Sequence, residues 1–311
     1  MAFTKAVRKK SKLRLGITGP SGSGKTLGAL LIAKGLGGRI AVIDTEKGSA
    51  SLYAENPKYD VEFDTMDLDP PYAPENFIKA MREAEQGGYD VLIIDSTTHE
   101  WSGVGGCLEL VDEIARARYK GNSWSAWNDI TPRHRAFIDA IQRSPLHVII
   151  TMRSKTETAQ TEGPNGKKQV VKLGMKAEQR DGFEYEMTVV LDVVHDTHFV
   201  QTSKDRTGLF MDRDPFKITE DTGVMLREWL ESGAEPAPDG VTAKELADWT
   251  AAIEGAADLA ELKRIYEDAT KLARERKDKL SYDAMVIAKD KRKAALEQPK
   301  QPEFEDEDIP Y

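Results

Sequence analysis

The sequence predicts an α/β protein: a mainly parallel, twisted sheet flanked by helices, then a small helical region and an acidic tail. Three observations lead there. Short apolar runs alternate with stretches of helical spacing, the pattern of a doubly wound sheet with right-handed crossovers. The first run, LRLGIT, enters the glycine-rich GPSGSGKT (19–26). Beyond ESGAEPAPDG (231–240), a linker by composition, the pattern becomes wholly helical.

In order, LRLGIT (13–18) reads as a strand and TLGALLIAKGLG as a helix with a glycine stop. RIAVIDT (39–45) is a buried strand and VEFDTMD a weaker one. PENFIKAMREAEQ (74–86) is an amphipathic helix, and YDVLIIDS (89–96) a buried strand. Further strands are predicted at HVIIT (147–151), TVVLDVV (188–194) and HFVQTS (198–203), and a closing helix at GVMLREWLES. Between Lys155 and Glu186 no period is clean, so a long loop, functional or disordered, is expected. Residues 241–297 carry three helical patterns, two opening on capping signals, Thr242 with Glu245 and Asp258 with Glu261. The organisation expected is a basic segment 1–12, a core 13–230, the linker, the helical region and a disordered tail 298–311.

Composition narrows the classes. The 311 residues carry a formal net charge of −9, which argues against a protein that coats nucleic acid with its whole surface. A local basic groove stays open, because Lys5, Arg8, Lys9, Lys10, Lys12 and Arg14 crowd the start while acids crowd the end. No apolar run is long enough for a bilayer, and MAFTKAVRKKSK lacks a signal peptide's apolar stretch. With Cys107 the single cysteine, neither an intrachain disulfide nor a Cys-based zinc site is expected, and a reducing cytoplasm is the natural location.

GPSGSGKT matches G-x-x-x-x-G-K-[ST] in the strand-to-helix context that gives the motif its meaning. Gly19, Pro20, Ser21, Gly22, Ser23, Gly24, Lys25, Thr26 and Leu27 form the candidate ATP cradle. Glycines let backbone N–H groups turn toward phosphate, and the helix N-terminus adds positive potential. Lys25 is the candidate for the β- and γ-phosphates, Thr26 for Mg²⁺. Asp95 ends the buried VLIID run and is the second candidate metal residue. Ser96, not a glutamate, follows it, so two carboxylates compete to polarise the attacking water: Glu46, after AVIDT, and Glu100, in TTHEW.

GPSGSGKT, AVIDTEKGS, VLIIDS and VIITMRSK, in this order, resemble the RecA/RadA-like recombination ATPases. More closely, LRLGITGPSGSGKT, RIAVIDTEKGSASLYAE, IIDSTTHEW and KDRTGLF resemble the phage-encoded RecA-like ATPases of the single-strand annealing type, over residues 3–230. The resemblance implies a RecA-like P-loop core, ATP with Mg²⁺, Glu46 over Glu100 as catalytic carboxylate, and a ring or filament of identical subunits. It implies that Lys204 and Arg206, in SKDRTG, reach a neighbour's ATP site, where a guanidinium would neutralise transition-state charge. It also implies the cytoplasm of a bacterial host. One departure stands out: Thr151 occupies the place where RecA proteins usually carry a γ-phosphate-sensing Gln, with Arg153 and Lys155 following.

In that family two loops hold single-stranded DNA, by position 116–128 and 155–185 here. The first offers Arg116, Arg118, Lys120, Trp124 and Trp127; the second, with Arg153 before it, Lys155, Lys167, Lys168, Lys172, Lys176 and Arg180. Cations track phosphates, and aromatics stack on bases for roughly 1–3 kcal/mol each. The bland readings are packing for the tryptophans and solvation for the lysines. His195 and His198 flank a turn and lack a third metal ligand; His134 reads as structural or interfacial.

The ending EFEDEDIPY is similar to the acidic tip of bacterial single-stranded-DNA-binding proteins, with Tyr311 in place of Phe. Asp306, Glu307, Asp308, Ile309, Pro310 and Tyr311 would then dock on host repair and replication proteins, or fold back on the basic loops. Three functions are compatible: an ATP-hydrolysing protein that anneals or recombines single strands, a nucleotide-clamped adaptor with little hydrolysis, and a DnaB-like motor, which would lack its collar domain here.

Overall fold

The computed structural model describes residues 5–162, 168–234, 240–276 and 278–297; between 156 and 174 it describes backbone only. The chain divides into two compact units, Met1–Ala234 and Glu235–Tyr311.

The first unit is the predicted α/β core. Its strands are β1 (Arg14–Gly19), β2 (Ile40–Asp44), β3 (Asp64–Asp67), β4 (Val91–Asp95), β5 (His147–Glu162), β6 (Lys168–Ala177), β7 (Val189–Val193) and β8 (Val200–Asp205). The sheet order is β3-β2-β4-β5-β1-β7-β8, with β6 paired to β5 alone. All ladders from β3 to β7 along that order are parallel, and β8 closes the sheet antiparallel to β7. The central strands are apolar throughout because both faces are covered. On β4, Val91 and Ile93 join the cluster containing Leu30, Ile32 and Leu226, while Leu92 and Ile94 join Phe77 and Phe137 on the opposite face.

Helix α1 (Lys25–Leu36) follows the glycine-rich loop, and α2 (Pro74–Gln86) starts on a proline whose fixed φ suits a first helical position. Between β4 and β5 lie α3 (Thr98–Ser102), α4 (Cys107–Arg118) and α5 (Ser123–Arg143). Asn122 caps α5, its side chain accepting from the Ser125 amide. Helix α6 (Glu220–Glu231) presses against α1 at two glycines: a Cβ on Gly35 would stand 2.1 Å from the Glu220 carbonyl, and one on Gly223 2.2 Å from that of Ile32. Any side chain there would drive the helices apart.

Two expectations change. The stretch after Lys155 is not a loop at its start: β5 runs on to Glu162 and forms an antiparallel hairpin with β6. Its pairing is local, strand to strand, and the polar SKTETAQTE stretch carries no apolar alternation from which a strand could be read. And Arg14, counted among the basic residues that crowd the start, offers no charge to a surface groove. It is buried, and its guanidinium donates to the carbonyls of Leu13, Gln142, Ser144 and Leu146, tying the end of α5 to β1. Burial lowers its pKa to about 10. Arg8 lies over the Trp229 ring, and the Lys10 amide donates to the Ala234 carbonyl.

The second unit contains α7 (Ala243–Gly255), α8 (Leu259–Glu275) and α9 (Lys279–Glu297) around a core that includes Ile253, Leu262, Ala269 and Met285. Thr242 and Glu245 form the reciprocal capping box, and Asp258 caps α8.

Candidate nucleotide site

The phosphate loop occupies the bend between β1 and α1. Gly22 and Gly24 have φ of 78° and 95°, left-handed values that glycine adopts without strain. Gly19 has no room for a Cβ, which would meet Ser23 Oγ at 2.5 Å. The Lys25 ammonium donates to the Pro20 carbonyl at 2.8 Å. Burial lowers its pKa, against the pull of Asp95 and Glu46. A cavity of about 630 Å³ opens beside Gly22–Gly28, walled further out by Tyr53, Tyr59, Lys217 and Ile218.

Asp95 lies at the C-terminal end of β4, separated from β1 by β5. Its carboxylate accepts from Thr26 Oγ1 at 2.5 Å and from Thr151 Oγ1. Burial raises its pKa, and those two hydroxyls oppose the rise. The two predicted metal residues therefore meet, as an adjacent hydroxyl and carboxylate, a hard oxygen pair suited to Mg²⁺. Glycine cradle and oxygen pair together fit a Mg²⁺–nucleotide.

Glu46 follows the buried Asp44, whose carboxylate accepts from the amides of Glu46 (2.6 Å) and Ala50 (2.9 Å) and so shapes the turn. Glu46 is partly exposed, and the Arg153 guanidinium holds it through two bonds, Nε to Oε1 at 3.0 Å and Nη2 to Oε2. Arg153, a DNA candidate, is here paired with the carboxylate. Glu100 takes the other course. It is fully buried, with Oε1 accepting from Cys107 Sγ at 3.1 Å and facing His134 Nδ1 at 2.9 Å, and Oε2 accepting from Gln179 at 3.4 Å. A carboxylate so enclosed cannot orient water at the phosphate loop. This trio also amends the expectation from cysteine count alone: Glu100, Cys107 and His134 have ligand-type atoms within 4.8 Å of one another. Hydrogen bonds through Glu100 link the three side chains, while His134 Nε2 is buried without a partner, and burial pushes the thiol pKa strongly up.

Strand β5 feeds this site with alternate residues. Thr151 reaches Asp95, Arg153 reaches Glu46, and Lys155 pairs with Glu178 at 3.8 Å. Beyond Lys155 the strand is hairpin.

Lys204 and Arg206 do not line the cavity. Lys204 donates to the carbonyls of Glu184 (2.9 Å) and Tyr185 (2.5 Å), and Arg206 to that of Tyr185 (2.9 Å). Both rest on the short 3-10 turn Phe183–Glu186 of the same chain.

The first DNA-loop candidate, 116–128, is the end of α4, a tight turn and the start of α5. Arg116 and Arg118 occupy the last turn of α4, and Arg118 pairs with Asp129 at 3.4 Å. Lys120 is in the turn, with φ of 53°. The two tryptophans part company. Trp127 stacks on Trp101 with centroids 5.5 Å apart and lies beneath Arg180, whereas Trp124 is 86% exposed. In the second, Lys176 pairs with Asp181 at 2.8 Å. Lys168 and Lys172 are on β6, but their side chains lie outside the described residues, as do Lys167 and the tail Asp306–Tyr311.

The AAA domain family matches residues 11–215. The chain belongs to that family. A search of curated proteins finds no match. Membership makes the core a P-loop ATPase-type domain, a family that binds nucleotide. No helix among the described residues is long and apolar enough to cross a membrane. Reading the sequence missed the outer wall of this AAA-domain site. Tyr53 and Tyr59 pack edge to face, centroids 6.1 Å apart, while Lys217 and Ile218 arrive from the opposite end of the core. Only a pair of tyrosines shortly after IDTE hinted at it.

Proposed function

We propose that the protein binds and hydrolyses ATP, binds single-stranded DNA, and promotes strand annealing in homologous recombination. One observation carries the reading: the strand that supports both site carboxylates, through Thr151 and Arg153, continues directly into the β5–β6 hairpin. A ligand that moves the hairpin therefore moves the residue holding Glu46.

In this reading Gly19–Leu27 cradle the phosphates, Lys25 neutralises them, and Thr26 and Asp95 hold Mg²⁺. Bound Mg²⁺ supplies charge neutralisation between the phosphates. Glu46, once freed from Arg153, orients the attacking water and takes up its proton. Tyr53 and Tyr59 offer aromatic surface to the base. Lys204 and Arg206 leave the carbonyls of their own chain when a second copy docks, and complete that copy's site. The hairpin lysines with Trp124 hold the DNA, and Asp306–Tyr311 recruit host proteins that dock on acidic, aromatic-ended tips. The setting is the cytoplasm of a bacterium carrying a phage genome.

Turnover of ATP with and without an oligonucleotide, at two salt concentrations, tests the reading. Stimulation that weakens with salt supports it. Equal turnover under all four conditions rejects coupling. The adaptor is the second reading, favoured by the same Arg153–Glu46 pair, which as it stands engages both carboxylate oxygens; undetectable turnover with and without DNA, despite ATP binding, would select it.

A further inference from the structure

We propose that His198 is a phosphate-binding residue of the nucleotide site, and that nucleotide binding draws a proton onto it. The inference rests on the cavity being a nucleotide site and adds a residue to it from an unexpected quarter, the turn between β7 and β8.

That turn lies over the phosphate loop. A Cβ on Gly22 would stand 3.5 Å from His195 Nε2, and one on Gly24 3.8 Å from His198 Nδ1. His198 Nδ1 is 2.9 Å from the Ser23 carbonyl and lines the cavity. A carbonyl only accepts, so the ring proton sits on Nδ1 and the imidazole donates to the loop. Nε2 is then the ring's remaining polar atom. In the neutral ring it is a lone pair, which repels phosphate oxygen. Protonated, it becomes a second donor and carries charge to the anion.

The surroundings decide which form prevails. Lys25 on the phosphate loop and Lys58 and Lys217 are the other cations that line the cavity. On the turn itself, Asp196 pairs with His195 at 3.0 Å and leaves His198 to the loop. In the proposal, a phosphate oxygen beside Nε2 favours the charged ring, and the proton comes from water together with the nucleotide. The backbone favours this use of the position. His198 has φ of 57°, a value where His, Asn and Asp are enriched among non-glycine residues. The Ser23 contact aims the ring from there.

The same geometry supplies a clean variant. Asparagine tolerates that φ, and its amide can replace the Nδ1 donor to Ser23, but it has nothing where Nε2 was. Mg²⁺–ATP binding is measured by calorimetry on the full chain, for wild type, His198→Asn, His195→Asn and Lys25→Ala, near about pH 6 and about pH 8, where imidazole charge changes. Wild-type and variant chains are compared at each pH, which cancels the nucleotide's own titration. The expected result is a loss of about tenfold in His198→Asn at the lower pH, shrinking at the higher, with no change in His195→Asn. Proton uptake, read from two buffers of different ionisation enthalpy, falls in His198→Asn. Wild-type affinity at both pH values in His198→Asn overturns the assignment and leaves the nucleotide site standing. Weaker binding by the same factor at both, with a lowered melting temperature, reduces His198 to a clamp on the loop and also overturns it. A wild-type chain indifferent to ATP, or a Lys25→Ala chain that binds as tightly, overturns the nucleotide site itself and this proposal with it.

Discussion

Strand β5 is one strand in two environments. From His147 to Arg153 it pairs with β1 and, over its first residues, with β4; from Ser154 onward its partner is β6. The inner half is fixed by burial on both faces, with Val148, Ile149, Ile150 and Met152 at 1% exposure or less. The outer half is held by its hairpin ladder. The contrast shows where binding and chemistry can be joined: at the handover, where Thr151 and Arg153 hold the two site carboxylates. In the proposed function, a ligand that displaces the outer half acts on the site at this point.

The sharpest break of this contrast leaves both halves intact and removes the chemistry between them. Glu46→Gln should lower ATP turnover by at least about a hundredfold while ATP affinity changes little, because a general base acts in the transition state. Turnover and calorimetric affinity measured on one preparation check this. Unchanged turnover would dissociate Glu46, and its link to β5, from hydrolysis.

The same inside–outside division recurs on α5, at Trp127 and Trp124. Trp127→Ala should cost about 2–3 kcal/mol of stability, since it strips a ring from Trp101 and Arg180. Trp124→Ala should leave the melting temperature unchanged and weaken oligonucleotide binding by about 1 kcal/mol or more. Equal melting losses in both variants would erase the distinction; unchanged DNA affinity in Trp124→Ala would remove that ring from the DNA surface.

Legibility in the sequence follows the same boundary. The inner half of β5 was readable as HVIIT, and α2 was readable to both ends, Pro74 and Gln86, because one buried face imposes a period and a proline marks the start. The outer half was not, since its polar sequence shows no apolar alternation. The phosphate loop and Asp95 were legible because a local motif and a strand end specify them. The fate of Glu100 was not: its partners Cys107, His134 and Gln179 stand 7, 34 and 79 residues away, and only the fold assembles them. The pairing of Arg153 with Glu46 was not legible either, since 107 residues separate them.

A smaller effect is expected at the handover itself. Arg153→Ala frees Glu46 from its bidentate partner, so basal turnover should rise by a few-fold and stimulation by oligonucleotide should shrink correspondingly. Steady-state turnover with and without DNA measures both. A fall in basal turnover with stimulation preserved would make Arg153 part of the chemistry and not a restraint on it.

The smallest effect concerns the root of the inner half. His147 Nδ1 accepts from the Leu13 amide at 3.1 Å, which requires an unprotonated ring, and burial lowers its pKa from 6.5 to about 4. Lys12 and Arg14 act in the same direction, and Asp90 against it. In the unfolded chain the imidazole takes a proton below its ordinary pKa, whereas in the folded chain it does not until near the lower value. The unfolded state therefore binds more protons within that window, and stability falls as pH falls through it. At about pH 5.5 the loss should be about 1 kcal/mol, all of it arising from one ring. His147→Asn keeps an acceptor for Leu13 and has no titrating group, so its denaturant midpoint should be flatter than wild type across the window. Parallel pH profiles for the two proteins would mean that acid acts elsewhere, and that the β1–β5 junction is not where the rigid half of the strand first gives way.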